Sequence, residues 1–373
     1  MAVRGLGDAF RVVMQRHGWT GAHLARQLRT SQPWVSMVLS GRRDPGMRRS
    51  TELLERLGWE LELVPSGEVD PVKRREFFAV AAAVAFVPAP TASPYSDAAY
   101  VTKLADRLMH HEAQLGGAPL AREAVRHAAR VAPGLRSRDS ALHAAASGLC
   151  RQAALIVHDV RDLAQAERLA ALSLRFARRT DDPAAQVHAY DALSLTAAYS
   201  PDGRGVEYAR RGLAVRGAGD ADRAALSARL GRTLALMPDQ ATGARRYLEQ
   251  ALTLAGDSGA VTAEIYGNTG IGFTDLGLPG AAEAHLASAV ELTASAPFVQ
   301  SLYLARQVKM AIRARNPDAA MPVMLALAGV VPVVDSPRLT IHLRHILDGT
   351  RRWAAMPGVR HARDAIREAA RGR

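Results

Sequence analysis

Cysteine, lysine and aromatic residues are scarce in this chain of 373 residues. Cys150 is the one cysteine, so no internal disulfide can form, as expected for a protein of the reducing cytoplasm. Aromatic residues make up 5% of the chain while alanine is abundant, a composition that suits closely packed helices. No apolar run of about 18 residues occurs and the N-terminus lacks an apolar signal-peptide core, so we expect neither a membrane helix nor export.

Positive charge is in excess and is carried almost entirely by arginine. The formal net charge is +12, and of the 48 basic residues only Lys73, Lys103 and Lys309 are lysine. Codon bias in a GC-rich genome would account for part of the arginine content. A strongly positive chain also attracts polyanions, so the composition favours nucleic acid as a partner.

Four short helices are predicted between residues 6 and 58, and they contain the most specific motif of the sequence. Residues 20–45 read TGAHLARQLRTSQPWVSMVLSGRRDP. Thr20 and Ser31 are suitable N-caps for the second and third helices, because their hydroxyls can accept from free backbone N–H groups. Gly41 suits a left-handed C-cap at the end of the third helix.

This stretch resembles the helix-turn-helix of the Xre/Cro–C1 repressor family over about 60 of the 373 residues. Leu24-Ala25 matches the site where the two helices cross closely. Val35 and Val38 match the buried branched pair of the recognition helix, and Gly41-Arg42-Arg43 matches the family's exit from that helix. One departure is Arg29, which stands where the family has a turn glycine.

The resemblance implies that the third helix enters the major groove of DNA. Gln32 would then bond adenine, Met37 would touch a thymine methyl, and the arginines would hold phosphates. Each of these residues also has an interpretation as an ordinary exposed side chain. Residues 1–60 contain 10 arginines and 5 acidic residues, which favours a phosphate-facing surface. The candidate DNA-binding residues are Thr20, Ser31, Gln32, Pro33, Ser36, Met37, Arg42, Arg43, Arg48 and Arg49.

A connector over residues 65–96 is predicted to join an N-terminal domain, 1–64, to a C-terminal domain, 97–373. Turn-rich segments, PSGEVDP and PAPTASP, bound the connector. Residues 72–90 resemble a twin-arginine export signal, but such signals begin a chain rather than follow a folded domain. We therefore interpret them as a buried apolar helix. Before the connector, alternating apolar and acidic residues predict a strand in 59–64, WELELV.

A repeat of 39 residues runs through the C-terminal part of the sequence, where helix pairs are predicted. Small residues mark where paired helices touch, and large residues fill the layer between pairs, which predicts a helical solenoid. The unit at 266–292 resembles a tetratricopeptide repeat, which implies a superhelix with a concave groove. A capping helix is expected near 359–373. The four matched columns are Ala153, Ala192, Gly231 and Gly270; Ala146, Ala185, Ala224 and Ala263; Ile156, Leu195, Leu234 and Phe273; and Leu169, Tyr208, Tyr247 and Leu286.

The first helix of each tetratricopeptide repeat lines the groove, so the resemblance also implies a set of groove residues. Grooves of this kind bind a peptide, a protein or a small-molecule effector. The same polar side chains also fit a groove that is merely solvated. The candidate effector-groove residues are Arg151, His158, Gln186, Tyr190, Arg232, Glu264 and Asn268.

Patterns for catalysis or metal binding are weak. The adjacent residues His110-His111-Glu112 cannot all face one ion from a helix, and His342 and His345 have no matched acid or cysteine nearby. GNTGIG at 267–272 is interpreted as close helix packing, because no strand precedes it. We therefore expect no enzyme activity, no metal and no cofactor.

Taken together, these patterns predict an all-α protein with a lambda-repressor-like helix-turn-helix domain and a tetratricopeptide-like α-solenoid. The expected function is that of a cytoplasmic, homodimeric transcriptional regulator that binds double-stranded DNA. The repeat domain would mediate dimerisation and bind an effector. The alternative is a protein-interaction scaffold whose helix-turn-helix is vestigial or only targets it to DNA.

Overall fold

The part of the chain that the structure describes is almost entirely helical, as the composition predicted. The chain divides into two compact units, Met1–Pro94 and Tyr95–Arg373, with the boundary inside the connector predicted from the sequence. The computed structural model describes residues 2–3, 6–42, 45–57, 62–63, 84–85, 93–255 and 259–371.

In the N-terminal unit, four helices share one apolar core. Each contributes a face of spaced apolar residues: Phe10 and Val13, then Leu24, Val35 and Leu54 are all buried. Burial of each such side chain stabilises the fold by roughly 1.5–3 kcal/mol. The helices are α1, Leu6–His17; α2, Gly21–Gln27; α3, Gln32–Leu39; and α4, Gly46–Arg56.

A small antiparallel sheet of two-residue strands accompanies these helices. The strands are β1, Ala2–Val3; β2, Glu62–Leu63; and β3, Val84–Ala85, with β3 between the other two. The strand predicted in 59–64 is confirmed at β2. The helix predicted for 72–90 is wrong at β3, because backbone pairing with two sequence-distant strands overrides local helical propensity there. The other residues of 72–90 lie outside the described residues.

The C-terminal unit packs helix pairs side by side in a solenoid-like arrangement. From α7 to α16, successive helices form pairs, and the first helix of each pair packs on the first helix of the next. A helix near the end of the chain was predicted, and α18 lies there. The helices are α5, Ala98–Leu115; α6, Ala121–Val131; α7, Ser140–Asp159; α8, Leu163–Ala177; α9, Pro183–Thr196; α10, Arg204–Leu213; α11, Asp220–Leu234; α12, Ala241–Leu254; α13, Gly259–Asp275; α14, Pro279–Leu292; α15, Pro297–Arg313; α16, Pro317–Val330; α17, Pro337–Gly349; and α18, Pro357–Arg371.

The predicted column of small residues lies where paired helices touch. A Cβ atom on Gly231 would stand 2.7 Å from Cγ of Leu248, and one on Gly270 would stand 2.7 Å from Cγ of Leu286. A side chain at either glycine would therefore push the two helices of its pair apart. The small residues thus set the distance between paired helices, as the repeat predicted.

Asp159, at the end of α7, joins the early helices of the C-terminal unit to the late ones. Its carboxylate accepts from the Gly117 N–H at 2.9 Å and from the Ser336 hydroxyl at 2.7 Å. Nε of Arg338 lies 3.3 Å from the same carboxylate, although this side chain follows 179 positions later. Asp159 is fully buried, so these partners supply the charge and hydrogen bonds that water would otherwise provide. The first turn of α17 is therefore fixed against α7.

Candidate functional sites

The turn between α2 and α3 is built by a left-handed residue that is not glycine. The Thr30 N–H donates to the Ala25 carbonyl at 2.9 Å and the Arg29 N–H to the Arg26 carbonyl at 3.1 Å, which is the Schellman pattern. Arg29 has a φ of 53°. A side chain in this region costs roughly 1–2 kcal/mol. A tight turn therefore joins α2 to α3, and Arg29 adopts its left-handed conformation at the expense of strain.

Helix α3 has one face in the core and one face in solvent. Ser31 caps it by accepting from the Trp34 N–H at 3.3 Å, as predicted. Val35 and Val38 are buried at 1% and 2% exposure. The candidate DNA-binding residues on the other face are all exposed: Gln32, Pro33, Ser36 and Met37.

This exposed face combines two kinds of chemistry. The Gln32 amide and the Ser36 hydroxyl can donate and accept hydrogen bonds, whereas Pro33 and Met37 offer apolar contact. Met37 is 37% exposed, which is high for a large apolar side chain. Base edges in a major groove present donors, acceptors and thymine methyl groups, so both kinds of contact have a partner there.

Helix α1 holds the C-terminal end of α3. A Cβ atom on Gly7 would stand 2.5 Å from the Val38 carbonyl oxygen, so the two backbones are in direct contact. The Arg11 guanidinium donates to the Leu39 carbonyl and also to Asp8. A cation at this end satisfies a free carbonyl and opposes the negative end of the helix dipole. The sequence motif gave no indication of this support.

The remaining candidates of this surface are distributed over three elements. Thr20 and Ser31 are exposed, and the Thr20 hydroxyl caps α2 by accepting from the His23 N–H at 3.3 Å. Arg42 and Arg49 are exposed. Arg48 lies in α4, and Arg43 lies outside the described residues. Two further exposed arginines that the motif did not single out lie on α2 and its turn, Arg26 and Arg29.

We refer to the first helices of the pairs, together with α5 and α17, which pack on α7 and α15, as the inner helices of the C-terminal unit. On these helices, Arg229 bridges three successive pairs. From α11 it donates to both carboxylate oxygens of Asp191 on α9, at 2.8 and 3.3 Å. It also donates to Glu264 on α13 at 3.0 Å and to the Asn268 amide oxygen at 3.2 Å. Burial alone lowers the pKa of Arg229, but the two carboxylates outweigh it and the net pKa shift is upward. Arg229 therefore acts as a charged link between helices.

The predicted groove residues are brought together only in part. Asn268 and Glu264 meet at Arg229, and Arg232 donates to the Asn268 oxygen at 2.9 Å. Tyr190 is buried elsewhere, and its hydroxyl accepts from Arg178 at 2.8 Å. Two further candidates, Arg151 on α7 and Gln186 on α9, are half-buried. Arg229 was not among the predicted groove residues, although the repeat of 39 residues sets it in one column with Tyr190 and Asn268.

His158 and Glu112 are buried beside the Asp159 junction. Burial, followed by the charge of Arg338, lowers the pKa of His158 well below its usual value, so the ring is neutral at pH 7. Its Nδ1 accepts from Arg338 at 3.4 Å. Burial raises the pKa of Glu112 to about 7, against the attraction of Arg338, and its carboxylate accepts from Gln152.

Comparison with known proteins assigns no family: no family model matches the sequence, and no curated protein matches it. Within the described residues, no helix is long and apolar enough to cross a bilayer. In that same part of the chain, no three His, Cys, Asp or Glu side chains are grouped as metal ligands.

Proposed function

We propose that the chain is a sequence-specific DNA-binding transcriptional regulator. In this proposal α2 and α3 form an Xre-type helix-turn-helix, and α3 is the recognition helix. One observation carries the proposal: α3 buries Val35 and Val38 while it exposes Gln32, Ser36 and Met37. A helix anchored by one face can enter a groove with the other face and keep its packing.

Contacts to DNA then divide into base contacts and phosphate contacts. Gln32 bonds an adenine edge, and Pro33 and Met37 touch thymine methyl groups. Arg42 and Arg49, together with Arg43 and Arg48, hold phosphates. The phosphate contacts add affinity for any sequence and make binding depend on salt, whereas the base contacts select the operator.

The C-terminal unit, in this proposal, is a tetratricopeptide-like repeat domain that senses an effector and mediates dimerisation. Its solenoid-like packing and the polar side chains on its inner helices support this role. A homodimer in the cytoplasm would present two recognition helices to half-sites one helical turn of DNA apart. A peptide, a protein or a small molecule on the inner helices would then alter that spacing.

The test is capture of genomic DNA fragments by the purified full chain at several salt concentrations. Gln32→Ala is expected to reduce the preference for the best fragment about tenfold, since a good base contact contributes roughly 1–3 kcal/mol. Arg42→Ala combined with Arg43→Ala is expected to weaken binding to all fragments and to lower its salt dependence.

Matched controls separate these effects from general damage. Gln15→Ala removes an exposed glutamine from α1, and Arg344→Ala removes an exposed arginine from α17; both should bind as the wild type does. If Gln32→Ala keeps the full sequence preference, α3 is not the recognition helix. Wild-type binding without any sequence preference favours the scaffold alternative instead.

A further inference from the structure

Four cationic side chains meet on the inner helices of the C-terminal unit. They are Arg232 on α11, Arg306 and Lys309 on α15, and Arg338 on α17; we refer to these four as the cationic cluster. Arg306 and Lys309 are three positions apart and share a face of α15, and Arg338 and His342 are four positions apart and share a face of α17. Lys309 contacts the His342 ring, and the charges of all four side chains lower the pKa of that ring. Each is half-buried, so the charges converge from three helices in a place that water reaches only in part.

Two members of the cationic cluster contact neutral groups. Arg232 donates to the Asn268 amide oxygen at 2.9 Å, and Nζ of Lys309 lies 2.6 Å from Nδ1 of His342. Burial alone raises the pKa of Tyr199, but the charges of Arg232 and Arg306 outweigh it and the net pKa shift is downward. Among the described residues, no carboxylate oxygen lies within 4.0 Å of the side-chain nitrogens of Arg232, Arg306 or Lys309.

Arg229, on the same helix as Arg232, is an arginine with a structural role, and its charge is neutralised by carboxylates. It lies three residues before Arg232, and it is paired with the carboxylates of Asp191 and Glu264. Near the cationic cluster, Asp275 accepts from Arg313 at 3.4 Å, and its charge offsets only in part the lowering of the pKa of Arg232 and of Lys309. Carboxylates therefore pair with Arg229, whereas an excess of positive charge remains around Arg232.

The excess charge has an electrostatic cost. Burial, and then the charge of Arg306, lower the pKa of Lys309 to about 8 and that of Arg232 to about 10. Burial and the charges of the cationic cluster lower the pKa of His342 to about 2, so its ring stays neutral. Like charges at close range in a partly dry place repel one another, and a bound anion would remove that repulsion.

We propose that the cationic cluster binds a small anion that carries phosphate and at least two negative charges. Guanidinium groups match phosphate oxygens with paired hydrogen bonds, and Lys309 adds a point charge. Because the four side chains are half-buried between helices, the ligand must be small, which argues against a DNA duplex or a folded protein. The inference rests on the proposed function in one respect: it names the class of effector that the regulator would sense.

The first test is calorimetric titration of the full chain with inorganic pyrophosphate at constant ionic strength. We expect one equivalent to bind, and Arg306→Gln to weaken binding about tenfold or more, since a hydrogen bond to a charged group contributes roughly 1.5–3 kcal/mol. Arg344→Gln, at an exposed arginine of α17, is the control and should bind as the wild type does. No binding by the wild type, or equal binding by Arg306→Gln, overturns the proposal.

Thermal melting distinguishes a ligand site from a structural one. Pyrophosphate should raise the melting temperature of the wild type, and at the same concentration it should raise that of Arg306→Gln clearly less, because the variant binds it more weakly. Without pyrophosphate, Arg306→Gln should melt no lower than the wild type, since the substitution removes repulsion. A markedly lower melting temperature there, repeated in Lys309→Gln, would identify a structural cluster and refute the proposal.

A final arm measures the capture of DNA fragments with and without pyrophosphate. Pyrophosphate binding by a chain that binds no DNA would leave this inference standing and reject the proposed function. The reverse result would reject this inference alone. If Arg306→Gln and Lys309→Gln lose DNA binding while pyrophosphate does not bind the wild type, the cationic cluster contacts the phosphates of DNA. The small-anion proposal is then wrong.

Discussion

The outward face of α3 and the inner helices of the C-terminal unit carry their polar side chains in different ways. On α3, the Gln32 and Ser36 side chains are exposed and make no hydrogen bond within the described residues. On the inner helices, by contrast, one amide oxygen, that of Asn268, accepts from both Arg229 and Arg232. The chemistry of the exposed face can therefore be predicted from spacing along one helix, whereas that of the inner helices depends on which side chains pair across several helices.

The largest expected effect comes from breaking the pairing on the inner helices. Arg229→Met leaves Asp191 without its partner, at 18% side-chain exposure, and Glu264 as well, at 46%. Loss of one partner of a buried ion pair costs roughly 3–5 kcal/mol, and because Glu264 is partly solvated we expect about 3 kcal/mol. Urea unfolding measures this loss. Arg232→Met should cost about 1 kcal/mol or less, and an equal loss in both variants would contradict the assigned roles.

The second expected effect is a dependence of stability on pH that arises from Glu112, which is buried on α5. Burial raises the pKa of Glu112 from 4.5 to about 7, so the folded state holds this proton more tightly than the unfolded state. The stabilisation is complete below pH 4.5 and is lost as pH rises through 7. We expect roughly 2–3 kcal/mol of the unfolding free energy to disappear over this interval. Urea unfolding at pH 5 and pH 8 measures it.

Variants of Glu112 and of an exposed glutamate isolate the contribution of Glu112 to the pH dependence of the unfolding free energy. Glu112→Gln has no proton to lose, so its stability should change less between pH 5 and pH 8 than that of the wild type. Glu291→Gln, at an exposed glutamate of α14, should keep the wild-type dependence. Parallel pH profiles for Glu112→Gln and the wild type would show that Glu112 is not the group responsible.

The third prediction removes the support of α3 without touching its exposed face. In Gly7→Ala the new Cβ would lie 2.5 Å from the Val38 carbonyl oxygen, and backbone cannot move aside as a flexible side chain can. Overpacking of this kind costs roughly 1–3 kcal/mol. Hydrogen exchange of the α3 amides should accelerate. Gly21→Ala, where a Cβ would meet no atom within 4 Å, should leave that exchange unchanged or slower.

The smallest effect is expected at the turn before α3. Arg29→Gly removes a side chain from a left-handed conformation and should stabilise the N-terminal unit by about 0.5–1 kcal/mol. Slower hydrogen exchange of α2 and α3 amides would measure the gain. Arg26→Gly, inside α2, should instead lose about 1 kcal/mol. A loss of similar size in both variants would show that the Arg29 side chain stabilises the turn.

The sequence predicted best those features that neighbouring residues determine. The caps Thr20 and Ser31 and the buried pair Val35 and Val38 follow from spacing within one helix, and the structure confirms them. The prediction that small residues lie where paired helices touch was confirmed at Gly231 and Gly270, because close helix packing tolerates only small side chains. The roles of these elements in binding DNA and an effector stay predictions.

Features that depend on distant partners were predicted poorly. The column that predicted Tyr190 and Asn268 also contains Arg229, but only the approach of α9 and α13 reveals that Arg229 is bonded from both sides. The groove prediction for Tyr190 also gave no indication that its hydroxyl accepts from Arg178. The strand at Val84–Ala85 likewise depends on residues far along the chain.

The junction at Asp159 has a consequence for how the C-terminal unit unfolds. A row of repeats that touch only their neighbours can fray from one end while the other end stays intact. Here Ser336, which caps α17, and Arg338 in its first turn bond to the Asp159 carboxylate at the end of α7. Fraying of the last helices would therefore expose a buried charge at α7. The unit should thus resist stepwise melting, and truncation before Ser336 should destabilise the helices around α7 as well as those that remain at the cut.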